Sequence, residues 1–272
     1  MGQSDVHGAT NREVLAEGLR GVSGEPLFVN PTRAMMRDLV EMYRDDEGLP
    51  GLQILADSDP LKDLAGDFIV ASALADLIDE GRFEVRTLSG VPRHSVLVTD
   101  GFVLSLVDTD QRVAGLGTDE EPFVSETLAE YQRRWADAEA FSLRTPPLSH
   151  IRETLEADIG RAAVEDFDRI LDSLDEAKGD GDGLDEVTIS LLVAANNGEL
   201  LYDISRWGED IRLASKATFS RNKNLLEEAG LLDTEKVPID IGRPRLRLLF
   251  ADSSLQDVPI EEVVERAERE LA

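Results

Sequence analysis

Residues 184–250 show an ordered change in the spacing of apolar side chains, and this change constrains the fold more than any other feature. The apolar residues first recur at helical spacing and then alternate as they do in strands. Ser215 and Gly230 predict the start and the end of the last helix, because Ser caps free amide groups and Gly tolerates a left-handed helix end. The predicted elements are three helices, Leu184–Ala195, Glu199–Gly208 and Ser215–Gly230, and two strands, Leu231–Val237 and Arg243–Phe250, joined by a Gly- and Pro-containing tip at 239–244.

The charge of the chain is strongly acidic. Its 272 residues include 56 Asp and Glu against 28 Lys and Arg, a formal net charge of −28, and only five of the basic residues are lysines. Like charges at this density oppose compaction, whereas in molar salt the Debye length falls to about 3 Å and the repulsion is screened. The composition is therefore typical of proteins from extreme halophiles. An acidic mesophilic protein is the alternative interpretation.

Positive charge is concentrated in one window of the chain. Residues 212–247 contain eight basic and five acidic side chains, so the window carries +3 and the remainder of the chain −31. Phosphates repel an acidic protein, and the few positive charges therefore indicate where nucleic acid would bind.

The residues before this region alternate between strand and helix patterns. EPLFV (25–29) and GLQILA (51–56) are predicted strands, and Asp100-Gly101 favours a tight hairpin turn after His94–Thr99. This alternation predicts an α/β domain with a mixed sheet. The predicted organisation is a flexible tail (1–24) with one helix at Asn11–Leu19, an α/β sensor domain with a helical connector (25–178), a linker containing GDGDG (179–183), the helix and hairpin region (184–250) and a C-terminal helix (251–272).

The stretch SKATFSRNKNLLEEAGLL with its basic hairpin resembles the winged helix-turn-helix regulators of archaea and bacteria. In such domains the start of the recognition helix faces base edges in the major groove, and a basic wing contacts phosphate or the minor groove. The resemblance implies that Arg221 contacts guanine and Asn222 adenine, whereas Ser215 and Lys216 contact phosphate. Lys223 occupies a position that is often apolar, so its stem either covers the core or the helix is rotated. The DNA-binding residues implied are Ser215, Lys216, Thr218, Ser220, Arg221, Asn222, Lys223, Arg243, Arg245 and Arg247.

An α/β sensor followed by a helical connector and this domain resembles the haloarchaeal TbsP-like transcription regulators. VPRHSVLVTDGFVLSLV is also similar to the hairpin of phospholipase D-like folds, which serve as effector domains in TrmB-type regulators. Those hydrolases need a His-x-Lys pair, but Val96 stands where the Lys after His94 is required. The domain is thus interpreted as a degenerate, non-catalytic relative of that fold, and no enzyme activity is expected.

Cofactors and metals are not expected either. The chain has no cysteine, and its three histidines are scattered. No apolar run is long enough to cross a membrane, and the N-terminus lacks the apolar centre of a signal peptide. A cytoplasmic location is therefore expected.

These observations favour a sequence-specific regulator that binds double-stranded DNA and responds to a small-molecule effector. The apolar stripe of the C-terminal helix either packs on its own domain or pairs with a second copy, and the second option predicts a homodimer. The alternative hypothesis is a winged-helix module that binds other proteins of the transcription machinery, with its arginines paired to surface acids.

Overall fold

The structure, a computed structural model, describes residues 5–8, 10–87, 90, 94–109, 112–174, 177, 184–239 and 243–271. The chain forms two units. The first comprises Met1–Ala65 and Ala73–Arg144, and the second comprises Gly66–Ser72 and Thr145–Ala272. In the part of the chain that is described, no helix is both long and apolar enough to span a membrane.

The first unit is built on an eight-stranded mixed sheet. Its strands are β1 (Asp5–Gly8), β2 (Leu27–Val29), β3 (Leu52–Ala56), β4 (Phe83–Thr87), β5 (Ser95–Val98), β6 (Val103–Thr109), β7 (Arg112–Thr118) and β8 (Glu139–Ala140). The helices before residue 145 are α1 (Asn11–Leu19), α2 (Arg33–Asp45), α3 (Ser58–Ala65), α4 (Phe68–Asp79) and α5 (Glu121–Asp137). The strand order is β1-β7-β6-β5-β2-β3-β4-β8.

Strand direction follows from the connections. The strands β2, β3 and β4 are parallel, because helices connect them, and the remaining neighbours are antiparallel. The turn predicted at Asp100-Gly101 joins β5 to β6, and the Thr99 hydroxyl accepts hydrogen bonds from the amides of Gly101 and Phe102. The predicted α/β domain with a mixed sheet is confirmed.

The N-terminal residues differ from the predicted flexible tail at 1–24. Strand β1 pairs antiparallel with β7, and α1 buries Val14, Leu15 and Leu19 almost completely. Thr10 caps this helix by accepting a hydrogen bond from the amide of Glu13 at 3.2 Å. The segment belongs to the folded unit because the buried residues of α1 lie on one face of that helix.

From Thr145 onward, the described residues of the second unit form six α-helices, a short 3-10 helix at Ser253–Asp257 and a hairpin. The α-helices and strands are α6 (Leu148–Asp158), α7 (Arg161–Ser173), α8 (Glu186–Asn196), α9 (Leu201–Asp210), α10 (Lys216–Glu228), α11 (Ile260–Leu271), β9 (Leu232–Val237) and β10 (Arg245–Phe250). Helices α8 to α10 with this hairpin form the expected winged helix-turn-helix.

The boundary between the units lies at Arg144–Thr145, whereas the sequence predicted it at 179–183. The connector helices α6 and α7 place apolar side chains in the same core as α8, including Ile151, Leu155 and Phe167. They therefore belong to the winged unit. The predicted linker at 179–183 lies outside the described residues.

The apolar stripe of α11 is used within its own unit. Ile260, Val263, Val264 and Ala267 are buried, and α11 packs on α7 and α8. The sequence left open whether this stripe packs on its own domain or pairs with a second copy. The structure shows that it packs on its own domain.

Candidate nucleic-acid interface

Helix α10 occupies the position of the recognition helix. The Ser215 hydroxyl caps its start by accepting a hydrogen bond from the amide of Thr218 at 3.1 Å. Its end is closed by Gly230 at φ +71°, followed by a hydrogen bond from the amide of Leu231 to the carbonyl of Leu226. Both ends agree with the sequence prediction, because each is fixed by a local residue.

The orientation of α10 decides which of its residues can meet DNA. Its inner face consists of Phe219, Asn222, Lys223 and Leu226, which repeat at helical spacing. Its outward face consists of the exposed residues Lys216, Ala217, Ser220, Arg221, Asn224, Leu225 and Glu228. Thr218 lies at the edge between the two faces and is half-buried.

The assignment of Asn222 to a base contact does not agree with the structure. Asn222 is only 6% exposed. Its Nδ2 donates to both carboxylate oxygens of Asp185, at 3.1 and 2.8 Å, and lies 3.4 Å from the Thr188 hydroxyl. Asp185 is the residue that caps α8, accepting from the amide of Thr188 at 2.7 Å. Asn222 therefore joins two helices and does not reach the surface.

Lys223 also faces inward. It is 8% exposed, and its Nζ lies 2.6 Å from Oε2 of Glu227. The other oxygen of Glu227 accepts a hydrogen bond from the Thr234 hydroxyl on β9, at 3.3 Å. The sequence left two interpretations for Lys223, a stem that covers the core or a rotated helix. The structure shows the first, with the stem in the core and the ammonium paired with the carboxylate of Glu227.

Lys216 begins the outward face of α10 and is held by an acid of α9. Its Nζ lies 2.5 Å from Oε2 of Glu209. The hydrogen bond from Lys216 is the main cause of a lowered pKa at Glu209 and of a raised pKa at Lys216, and the backbone N–H of Lys216 lowers the pKa of Glu209 further. The pair joins the two helices across the turn of the motif.

The wing carries three predicted arginines in different environments. Arg243 is exposed. Arg245 lies 3.9 Å above the ring of Tyr202 and 3.4 Å from Asp203, and Arg247 lies 3.5 Å from Glu235. Of the leucines between them, Leu248 is fully buried and Leu246 half-buried.

The hairpin is fixed to the helices by backbone contacts. Leu200 forms an isolated antiparallel bridge with Arg247, and the amide of Leu248 donates to the carbonyl of Glu199 at 2.9 Å. The predicted tip at 239–244 lies partly outside the described residues.

The first unit has a groove of about 950 Å³ beside strands β5, β6 and β7 and helix α5. Leu116 and Phe123, each 49% exposed, contribute its apolar surface. Glu126 and Glu130 lie at its rim, and Glu130 is paired with two arginines of its own helix. His94, which precedes β5, is exposed and does not line this groove.

Over the residues that are described, no group of three metal-binding side chains occurs.

Two family models together match almost the entire chain. The model of the TbsP-like transcriptional regulator N-terminal domain matches residues 3–146, and that of the C-terminal helix-turn-helix domain matches residues 147–268. The chain belongs to the TbsP-like transcriptional regulators. The limit between the two family domains lies within a few residues of the boundary between the structural units. The search of curated proteins gave no match.

Several solved structures are similar at low identity, and three of them are as follows. TrmBL2, an archaeal chromatin protein whose structure shows a novel mode of DNA binding, is 20% identical over 50% of this chain, with a TM-score of 0.38. The chain spans 53% of the length of TrmBL2. The phospholipase D family member Nuc from Salmonella typhimurium is 14% identical over 51% of this chain and 97% of its own, with a TM-score of 0.37. NucT from Helicobacter pylori is 13% identical over 51% of this chain and 98% of its own, with a TM-score of 0.35. At these scores the likeness supports no statement about activity.

The candidate interface of this TbsP-like regulator includes exposed residues that were not predicted from its sequence. Ala217, Asn224 and Leu225 lie on the outward face of α10, and Leu225 is 51% exposed. The signal was present in the spacing, because these positions lie three or four residues from Ser220 and Arg221. Tyr202, beneath Arg245, could be found only from the structure.

Proposed function

We propose that this TbsP-like regulator binds double-stranded DNA sequence-specifically and controls metabolic genes of a halophilic archaeon. The observation that carries the proposal is the outward face of α10, which offers cations, amide groups and an apolar side chain on one side of a capped helix. Such a face has the donors and the shape that the major groove accepts.

Three exposed side chains of this face each match a different group of DNA. Arg221 is suited to the two acceptors of guanine and Asn224 to the donor and acceptor of adenine. Leu225 is suited to the methyl group of thymine. Asn224 thus takes the role for which the sequence indicated Asn222.

The flanking residues are assigned to the DNA backbone. Ser215, Lys216 and Thr218 lie at the start of α10, where the helix dipole and the free amides favour phosphate. Arg243, Arg245 and Arg247 of the wing would contact phosphate or the minor groove.

The test is selection of a random duplex library by the full-length protein in molar KCl, followed by affinity measurements on the enriched sequence. Arg221→Ala is expected to weaken binding to that sequence by about 1–3 kcal/mol and to relax the base preference at one position. Arg161→Ala provides the matched control, because Arg161 is an exposed arginine of α7, outside the motif. Enrichment of no sequence, or equal losses for the two variants, would refute sequence-specific recognition through α10.

The proposal extends to the partners of the protein. It acts in the cytoplasm as a homodimer without catalytic activity, and the dimer would form through a surface other than the α11 stripe, which is buried within its own unit. Its effector is a small molecule that binds the groove beside Leu116 and Phe123. Sedimentation in molar KCl tests the dimer, and a species of one chain mass at micromolar concentration would contradict it. For the effector, metabolites that change operator affinity should lose that effect in a Leu116→Gln/Phe123→Gln variant.

A second candidate function is a winged-helix module that binds proteins of the transcription machinery without sequence-specific DNA binding. The observation that favours it is the pairing of Arg245 with Asp203 and of Arg247 with Glu235, which that hypothesis expects. It predicts equal affinity for all duplexes in the selection experiment, so the same measurement separates the two functions.

A further inference from the structure

Most of the cations assigned to DNA by the sequence are already neutralised by carboxylates of the same unit. Lys216, Lys223, Arg245 and Arg247 are paired with Glu209, Glu227, Asp203 and Glu235, respectively. Arg221 and Arg243 have no such partner among the residues that the structure describes.

Glu209 differs from the other acids in its place relative to α10. It lies in the last turn of α9, and its carboxylate accepts a hydrogen bond from the Nζ of Lys216, the first residue of α10, at 2.5 Å. Free amides and the positive end of a helix dipole make this the place where a DNA phosphate is best held. The carboxylate therefore supplies a negative charge and acceptor oxygens at the position that a phosphate would take.

We propose that Glu209 is an internal competitor of a DNA phosphate, so that Lys216 and the start of α10 engage DNA only when Glu209 releases them. This inference rests on the proposed DNA-binding function. Asp203 and Glu235 act in the same way on Arg245 and Arg247 of the wing, at longer distances of 3.4 and 3.5 Å.

The exchange changes how binding depends on salt. A free cation that neutralises one phosphate releases about 0.9 counterion, and this release makes binding weaken as salt rises. A cation that first leaves a carboxylate exposes that carboxylate, which takes up a cation from solution in place of the one released by the phosphate. Each exchanged pair thus contributes almost nothing to the salt slope, and the protein binds DNA with a shallower slope than its number of basic contacts implies.

The experiment compares full-length wild type with Glu209→Gln on one duplex. Dissociation constants are measured by fluorescence anisotropy over a tenfold range of KCl in which circular dichroism shows both proteins folded. Since Glu209→Gln frees Lys216, it should bind more tightly at the lower salt and steepen the slope of log affinity against log salt by about 0.9. The ratio of the wild-type dissociation constant to that of the variant should then grow about eightfold as the KCl concentration falls from the top to the bottom of the range.

Two controls separate pair exchange from a general change of charge. Glu165→Gln removes the same charge from a similar pair, with Arg161 on α7 at 3.1 Å, and should leave the slope unchanged. In a Lys216→Gln background, Glu209→Gln should no longer steepen the slope, because no interface cation is left for it to release.

The outcomes are distinct. Equal slopes for wild type and Glu209→Gln would overturn this inference alone, as would equal steepening by Glu165→Gln. If the wild type bound no duplex at any salt at which it is folded, the proposed function would fail and this inference with it.

Discussion

The side-chain amide of Asn222 contacts both carboxylate oxygens of Asp185, at 3.1 and 2.8 Å, and thereby joins the recognition helix α10 to the capping residue of α8. Asp185 also accepts from the amide of Thr188, so one carboxylate caps a helix and positions its neighbour. The contact therefore helps to hold α10 against α8 in the interior of the unit.

Asn222→Ala should lower the free energy of unfolding by about 1–3 kcal/mol, because it removes two hydrogen bonds from a partly buried carboxylate. The DNA affinity of the folded fraction should not change. Urea unfolding in molar KCl and anisotropy measurements on the same samples give the two quantities.

Asn224→Ala is the matched control, since this exposed asparagine lies two residues further along the same helix. It should change stability by less than about 0.5 kcal/mol and lower the affinity. If Asn222→Ala lowered the affinity and Asn224→Ala lowered the stability instead, α10 would be rotated from the position described above.

Gly208→Ala should destabilise the second unit by about 1–3 kcal/mol through overpacking. A Cβ at Gly208 would overlap the Cε2 and Cζ atoms of Phe219, which lies on the inner face of α10 and is fully buried. Thermal unfolding of the single variants and of Gly208→Ala/Phe219→Leu checks this explanation. The double variant should be more stable than the sum of the single effects allows, and simple additivity would count against the contact.

Lys223→Met should leave Glu227 without its main partner and lower stability by about 1–3 kcal/mol. Adding Glu227→Gln should restore part of the loss, because the remaining group is then uncharged and can still bond to Thr234. DNA affinity should stay at the wild-type value in both variants, since Lys223 faces inward. A loss of affinity without a loss of stability would place Lys223 back among the DNA contacts.

Glu186→Gln should raise stability at neutral pH. Burial is the largest cause of the raised pKa of Glu186, in the first turn of α8, and the charge of Asp185 raises it further. A carboxyl with a raised pKa in the folded state contributes stability that is complete below its ordinary pKa of 4.5 and is lost as the pH rises through the folded value. The Gln variant does not ionise, so its advantage over wild type should increase from about pH 4.5 upward and then level off. Unfolding free energies measured across this range would contradict the argument if the two curves ran parallel.

The sequence was sufficient for features whose causes are local. The cap at Ser215, the end at Gly230 and the Asp100-Gly101 turn each depend on residues next to them in the chain, and all three lie where they were predicted. The winged helix-turn-helix and the mixed sheet follow from such signals and from apolar spacing.

Features with distant causes were not predictable in this way. Asn222 appeared to be a surface residue because its partner lies 37 residues earlier. The Thr154 hydroxyl of α6 accepts a hydrogen bond at 3.0 Å from the indole of Trp207, which lies 53 residues later in the chain. The pairing of β1 with β7 joins residues more than 100 positions apart. The polar composition near the N-terminus therefore suggested a flexible tail, whereas the chain there forms strand β1, which pairs with β7 at the edge of the sheet.

The inclusion of Gly66–Ser72 in the second unit affects how this protein can be divided. Phe68 lies in the core of that unit, with its ring 6.2 Å from that of Phe167 and its amide bonded to the carbonyl of Ala177. A fragment that starts at Thr145 would lack this aromatic side chain, and loss of a buried Phe costs about 3–5 kcal/mol. The helix-turn-helix domain is thus contiguous as a family domain but not as a structural unit, and cutting the chain between the two family domains would remove part of the core of the second unit.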